Sequence, residues 1–235
     1  MIILLKLILA HLIGDFLLQP KSWVEEKRKH KALSRVLYLH VLVHIGLMLL
    51  LIWDLSLWPL AMLIGVGHLL IDIAKLYLQK EKNKTWWFVS DQLSHLVLVV
   101  GLWYWWFDFP AIITDTAFSA TFWIYVTAIF FLSFPIGIII KELLSSWSEI
   151  LFEGSDESLA DAGKYIGILE RLLIFTFIAT GHWEGVGFLL AAKSIFRFGD
   201  LKESKDRKLT EYILIGTLLS FGIAIIISLG VERMT

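Results

Sequence analysis

Four short stretches of this sequence each set two ionisable residues four positions apart. "HLIGDF" carries His11 and Asp15, "HVLVH" carries His40 and His44, "HLLID" carries His68 and Asp72, and "DQLSH" carries Asp91 and His95. Residues four apart share one face of a helix, about 6 Å apart along its axis. Imidazole and carboxylate are ligands for zinc, iron or manganese, and the chain has no cysteine to offer a thiolate instead. Five His and three Asp are too many donors for one zinc ion. They suit two divalent transition-metal ions roughly 3.5–4 Å apart, zinc first, with iron or manganese as alternatives. Such ions activate water and polarise a scissile group. Asp15, Asp72 and Asp91 are then the catalytic candidates, as bridging carboxylate or general base.

Each pair lies inside a hydrophobic run. The chain has 235 residues, 57% of them apolar, and a mean hydropathy of +0.73. Soluble domains average about 45–50% apolar. The excess comes in blocks of roughly 18–23 residues, the length that crosses a bilayer as a helix. Backbone groups in lipid must bond within their own segment, so the runs read as helices. The ~10-residue alternation of an outer-membrane barrel is missing. The expected fold class is all-α: a polytopic membrane protein with about eight transmembrane helices, at 2–19, 35–53, 58–78, 87–107, 119–140, 164–181, 185–198 and 210–229. The seventh is short and carries Lys193 and Arg197, so a re-entrant segment is its alternative. The first has neither the basic start nor the small-residue cleavage site of a signal peptide. A net charge of −1 gives no nucleic-acid signal.

Lysine and arginine set the orientation. Lys21, Lys27, Arg28, Lys29 and Lys31 follow the first span, and "QKEKNK" and "FRFGDLKESKDRK" follow the third and seventh. The opposite stretches, "WDLSLWP" and "FDFPAIITDT", have neither residue. The positive-inside rule puts the basic stretches in the cytoplasm and, with eight spans, both termini outside. The acidic stretch "SSWSEILFEGSDESLADAGK" would also be cytoplasmic, and acidic residues weigh little in that rule. It reads as the linker in a division of the chain into 1–110, 111–163 and 164–235.

In this topology odd spans carry their pairs late and even spans early. All eight side chains then meet in one layer of an N-terminal four-helix bundle, near the cytoplasmic side. Soluble bundles build di-metal sites in this way. Each buried ionisable group costs about 2.5–3.5 kcal/mol on insertion scales, which sets four matched pairs apart from chance packing. A proton or ion pathway and plain interhelical hydrogen bonding are the alternatives, and Asp91 after Ser90 could be an N-cap. Gln19, Lys75 and Gln92 lie within a turn of the pairs and are candidates to orient the ligands. Lys75 could instead snorkel to the interface.

The C-terminal half carries Arg171 beside Glu170, then Lys193 and Arg197 on one face, then Glu211. Arg171, Lys193 and Arg197 could form a cationic pocket for a phosphate or another anion. Pairing of Arg171 and Lys193 with Glu170 and Glu211 is the equal alternative. His30 and His182 read as solvated.

The motifs "AHLIGDFLLQ", "HVLVH", "HLLIDIAK" and "DQLSH", followed by "IGILERLLI", "GFLLAAKSIFRF" and "EYILIGTLLS", resemble the bacterial domain-of-unknown-function family numbered 3307. The resemblance, which runs nearly full length, implies a small inner-membrane protein and no activity. A looser similarity, by residue type alone, is to membrane-bound metal-dependent hydrolases. The functional expectation is a membrane metal-dependent hydrolase acting on a phosphoester, with membrane lipids as partners and a lipid-like or anionic substrate. A metal or proton-coupled transporter, a di-iron oxidase and a metal-stabilised scaffold are the alternatives.

Overall fold

The structure is a computed structural model that describes residues 1–80, 83–107, 119–145, 157–198 and 204–235, with backbone alone for 157–162, 196–198 and 204–209. The stretch "DFPAIITDT", most of the acidic stretch and the first boundary drawn from the sequence, between 110 and 111, lie outside the described residues. Every regular element described is helical: α1 (Ile2–Phe16), α2 (Lys21–His30), α3 (Arg35–Ile52), α4 (Trp58–Leu78), α5 (Lys84–Phe107), α6 (Ala120–Ser133), α7 (Pro135–Leu143), α8 (Glu157–Ala179), α9 (Trp183–Phe198) and α10 (Ser204–Met234).

Four stretches are long and apolar enough to cross a membrane: Arg35–Ile52, Leu55–Leu78, Ala120–Leu143 and Thr210–Met234. Ile2–Phe16 and Lys21–Leu33 meet the same test only as a pair, bent by 81°. At 16 residues α9 is short of a full crossing. The chain is thus all-α with several membrane-spanning candidates.

The chain divides into two compact units, Met1–Trp123 and Ile124–Thr235. In the first, α1 packs on α3 and α5, and α4 packs on the same two helices, closing a four-helix ring. Pro20 ends the first rod. The residue before a proline is driven out of the helical region, and Pro20 itself sits extended at the N-cap of α2. The basic stretch read from sequence as a loop is therefore helical. Ser34 donates to the Glu26 carboxylate and Tyr38 donates to the Ala32 carbonyl at 2.8 Å, fastening α2 to the start of α3. At the other end of the bundle Asp54 accepts from the Ser56 backbone N–H and hydroxyl, at 2.9 and 2.7 Å. Those bonds favour its ionised form and hold its carboxyl below the usual range. That half of the bundle is filled by Leu7, Met48, Ile52, Leu60, Ile64 and Val99.

In the second unit α8 packs on α9 and α10, and α7 packs on α8 and α10. The fifth hydrophobic run is broken at Phe134 into α6 and α7. Pro135 starts α7 and has no N–H for the ladder, so carbonyls at the end of α6 need other donors. Gly181 turns the chain between α8 and α9 with φ +76°, a left-handed conformation that only glycine adopts freely.

Candidate metal centre

The eight paired residues converge. His11 and Asp15 project from the last turns of α1, and His40 and His44 from the first turns of α3. His68 and Asp72 come from the second half of α4, and Asp91 and His95 from the first half of α5. Antiparallel neighbours bring these segments to one level. The imidazole centroids are 4.0 Å apart for His68 and His95, 4.1 Å for His44 and His68, and 5.2 Å for His11 and His95. Room for the His44 ring comes from Gly14, where a Cβ would stand 2.4 Å from His44 Cε1. All five histidines are at most 3% exposed.

Asp15 sits between three of the helices. Its Oδ1 accepts from His40 Nε2 at 3.1 Å and His44 Nε2 at 3.0 Å, and lies 3.8 Å from His68 Nε2. Its Oδ2 accepts from Gln92 Nε2 at 2.9 Å. Gln92 also reaches Asp91 Oδ2 at 3.3 Å. His40 Nε2 is crowded: Gln19 Nε2 at 3.1 Å, Asp15 Oδ1 at 3.1 Å and His68 Nε2 at 3.2 Å all approach it. One ring nitrogen carries one proton or one lone pair and cannot serve all three.

Asp72 and Asp91 are held differently. Lys75 Nζ donates to Asp91 Oδ2 at 2.7 Å, and Lys27 Nζ donates to Asp72 Oδ2 at 2.9 Å. The inner oxygens point the other way: Asp72 Oδ1 is 3.9 Å from His95 Nε2 and Asp91 Oδ1 is 3.8 Å from His95 Nδ1. Lys27 is the site residue that sequence reasoning missed. It was read as one charge among five in a solvated run, yet it is 6% exposed.

Four buried polar atoms here have no hydrogen-bond partner: His11 Nε2, Asp91 Oδ1, His95 Nδ1 and His95 Nε2. Such an atom typically costs about 1–3 kcal/mol, so each calls for an explanation such as a water, an ion or a catalytic role. Three sets of residues can bring ligand atoms within 4.8 Å of one another: His11, Asp15, His44 and His68; His40, His68 and Asp72; and Asp72, Asp91 and His95. The first and third share no residue. Their nitrogen and carboxylate donors fit divalent transition metals.

A small cavity borders the layer on its apolar side, lined by His11, His44, His68 and His95 together with Leu7, Met48, Ile64, Leu98 and Val99. The opposite side is polar, with Gln19, Lys75 and Gln92 partly exposed.

The family model described as "Protein of unknown function (DUF3307)" matches residues 3–125, just over half of the chain. The chain belongs to the DUF3307 family. No curated protein and no solved structure matches it. The DUF3307 match spans all eight paired residues with Lys27, Lys75, Gln19 and Gln92, and ends before Arg171, Lys193 and Arg197. The three C-terminal motifs that also suggested this family lie beyond it.

Those three cationic residues belong to the second unit. Arg171 is 3% exposed, and its guanidinium donates to the Leu132 carbonyl at 2.5 Å, the Ser133 carbonyl at 3.0 Å and Ser220 Oγ at 3.2 Å. It caps the carbonyls released by the Pro135 break. Lys193 Nζ stands 2.5 Å from Glu170 Oε2, the pairing that the sequence left open. The Arg197 side chain lies outside the described residues.

Proposed function

We propose that this protein is an integral-membrane, metal-dependent hydrolase of the bacterial inner membrane that acts on a phosphoester of a lipid-like or anionic substrate. The observation that carries the reading is the convergence of eight His and Asp side chains, seven of them buried, with four polar atoms lacking any partner. In this reading His11, Asp15, His44 and His68 hold one divalent ion, and Asp72, Asp91 and His95 hold a second. His40 buttresses Asp15 and His68 from behind. Divalent ions held there would supply an acidified water and a Lewis acid for the phosphoryl oxygen, and Asp15, Asp72 or Asp91 would take the proton.

A transporter would need a polar route to the other face. Beyond the histidines the bundle is packed with Leu7, Met48, Ile52, Leu60, Ile64 and Val99. The apolar plug favours chemistry reached from one side. The basic stretches put that side at the cytoplasmic leaflet, with both termini outside.

The test is turnover of phospholipids, isoprenoid phosphates and nucleotides by metal-loaded protein in nanodiscs. Metal-dependent phosphate release that vanishes in Asp72→Ala supports the reading. No turnover across the panel, together with metal uptake into sealed vesicles, replaces it with a transporter.

A further inference from the structure

The hydrolase reading leaves open what grips the anionic part of the substrate. In the second unit the described cationic side chains that drew attention in the sequence are engaged: Arg171 with two carbonyls and a hydroxyl, Lys193 with Glu170. We propose instead that Lys27 and Lys75, flanked by Gln19 and Gln92, form a phosphate-binding mouth over the metal centre. The proposal rests on the metal-centre reading and adds the residues that grip the phosphate.

The placement comes first. Lys27 arrives from α2, Gln19 from the link between α1 and α2, Lys75 from the end of α4 and Gln92 from the start of α5. Each touches a residue of the layer: Lys27 donates to Asp72, Lys75 to Asp91 and Gln92 to Asp15, and Gln19 Nε2 lies 3.1 Å from His40 Nε2. All four therefore sit directly on the centre, on the side away from the apolar plug. The Lys75 side chain is 26% exposed, which opens that side to solvent. An ammonium has three N–H donors. Each lysine gives one of them to the outer oxygen of its aspartate. The others can meet a phosphate oxygen without breaking that bond.

Charge supplies the second argument. Three carboxylates and two ammoniums leave the site with one net negative charge, the imidazoles being neutral when they bind metal. Two divalent ions turn that into three positive charges in a buried bundle. A site of that charge demands an anion, because uncompensated charge in a low dielectric is costly. A phosphate would supply negative charge toward that balance. The lysines neutralise the carboxylates before metal arrives and face the anion afterwards.

The experiment titrates inorganic phosphate into the full chain in detergent by calorimetry, with bound metal measured on the same samples by mass spectrometry. Phosphate binds the metal-loaded protein and not the chelated one. Lys27→Met and Lys75→Met each weaken it at least tenfold with metal retained, Lys27→Arg and Lys75→Arg keep it within a few-fold, and Lys193→Met leaves it unchanged. Gln19→Glu, which sets a negative charge at the mouth, weakens phosphate as well and serves if a Met variant fails to fold. Phosphate affinity equal to the parent's in metal-loaded Lys27→Met, Lys75→Met or Gln19→Glu overturns the mouth, as does loss in Lys193→Met alone. A parent chain that takes up no metal overturns the underlying centre, and the metal assay separates that failure from the other. Competition by phosphatidic acid in nanodiscs assigns the phosphate to a lipid headgroup, and absence of competition assigns it to a soluble ligand.

Discussion

Lys27, on a helix outside the four-helix ring, donates to Asp72 Oδ2 at 2.9 Å, and both side chains are buried. A charge run in the sequence thus supplies a buried counter-ion to a carboxylate 45 positions away. Removing one partner of a buried pair leaves the other uncompensated, at about 3–5 kcal/mol. Lys27→Met should therefore lower thermal stability sharply in chelator. Divalent metal supplies the missing positive charge and should restore much of the loss. Melting curves in detergent with and without zinc check this, and an equal deficit in both would show that Asp72 does not meet the metal.

Gly14 is a steric requirement. In Gly14→Ala the new methyl would need the space of the His44 ring. Overpacking costs about 1–3 kcal/mol, and here the ring that must move is a candidate ligand. Gly14→Ala should lose both stability and metal. Gly46→Ala is the contrast, since its Cβ would meet nothing within 4 Å. It should be neutral or stabilising by about 0.5–1 kcal/mol, because glycine is a poor helix former. Metal analysis and melting curves on both variants decide it.

Arg171 makes a different prediction. Arg171→Met strands the Leu132 and Ser133 carbonyls at the α6–α7 break. Each buried unpaired group costs about 1–3 kcal/mol. The variant should be markedly less stable, yet hold as much metal per folded chain as the parent. Metal loss at full folding would instead draw Arg171 into the site.

Much of the centre could be read from the sequence because its signal is local. A spacing of four sets two side chains on one helix face, and alternating depth along successive helices brings four such faces together. What could not be read depends on distant partners. Lys27 looks like any lysine in "EEKRKHK" until Pro20 bends the chain and carries α2 against the bundle. Arg171 looks like a pocket residue until Pro135, on another helix, strands the carbonyls it caps. The span count differs for a simpler reason. α1 has 15 residues and α9 has 16, short for a full crossing, while α5 and α8, with 24 and 23, are long enough and fall outside the candidates on apolarity over their described residues.

Orientation can be tested cleanly because the chain has no cysteine of its own. Lys29 and Leu55 are exposed at opposite ends of α3. With the basic stretches inside, an impermeant thiol reagent on intact cells should label Leu55→Cys and spare Lys29→Cys. The reverse pattern would move the metal centre to the outer leaflet.

The central claim is that five histidines and three aspartates were brought together to hold metal. Elemental mass spectrometry on protein purified without chelator tests it most directly. The account predicts about two divalent transition-metal ions per chain, loss of metal in His68→Ala, and no loss in His30→Ala or His182→Ala. A ratio near zero under metal-replete conditions, or the same loss in His30→Ala as in His68→Ala, would contradict it.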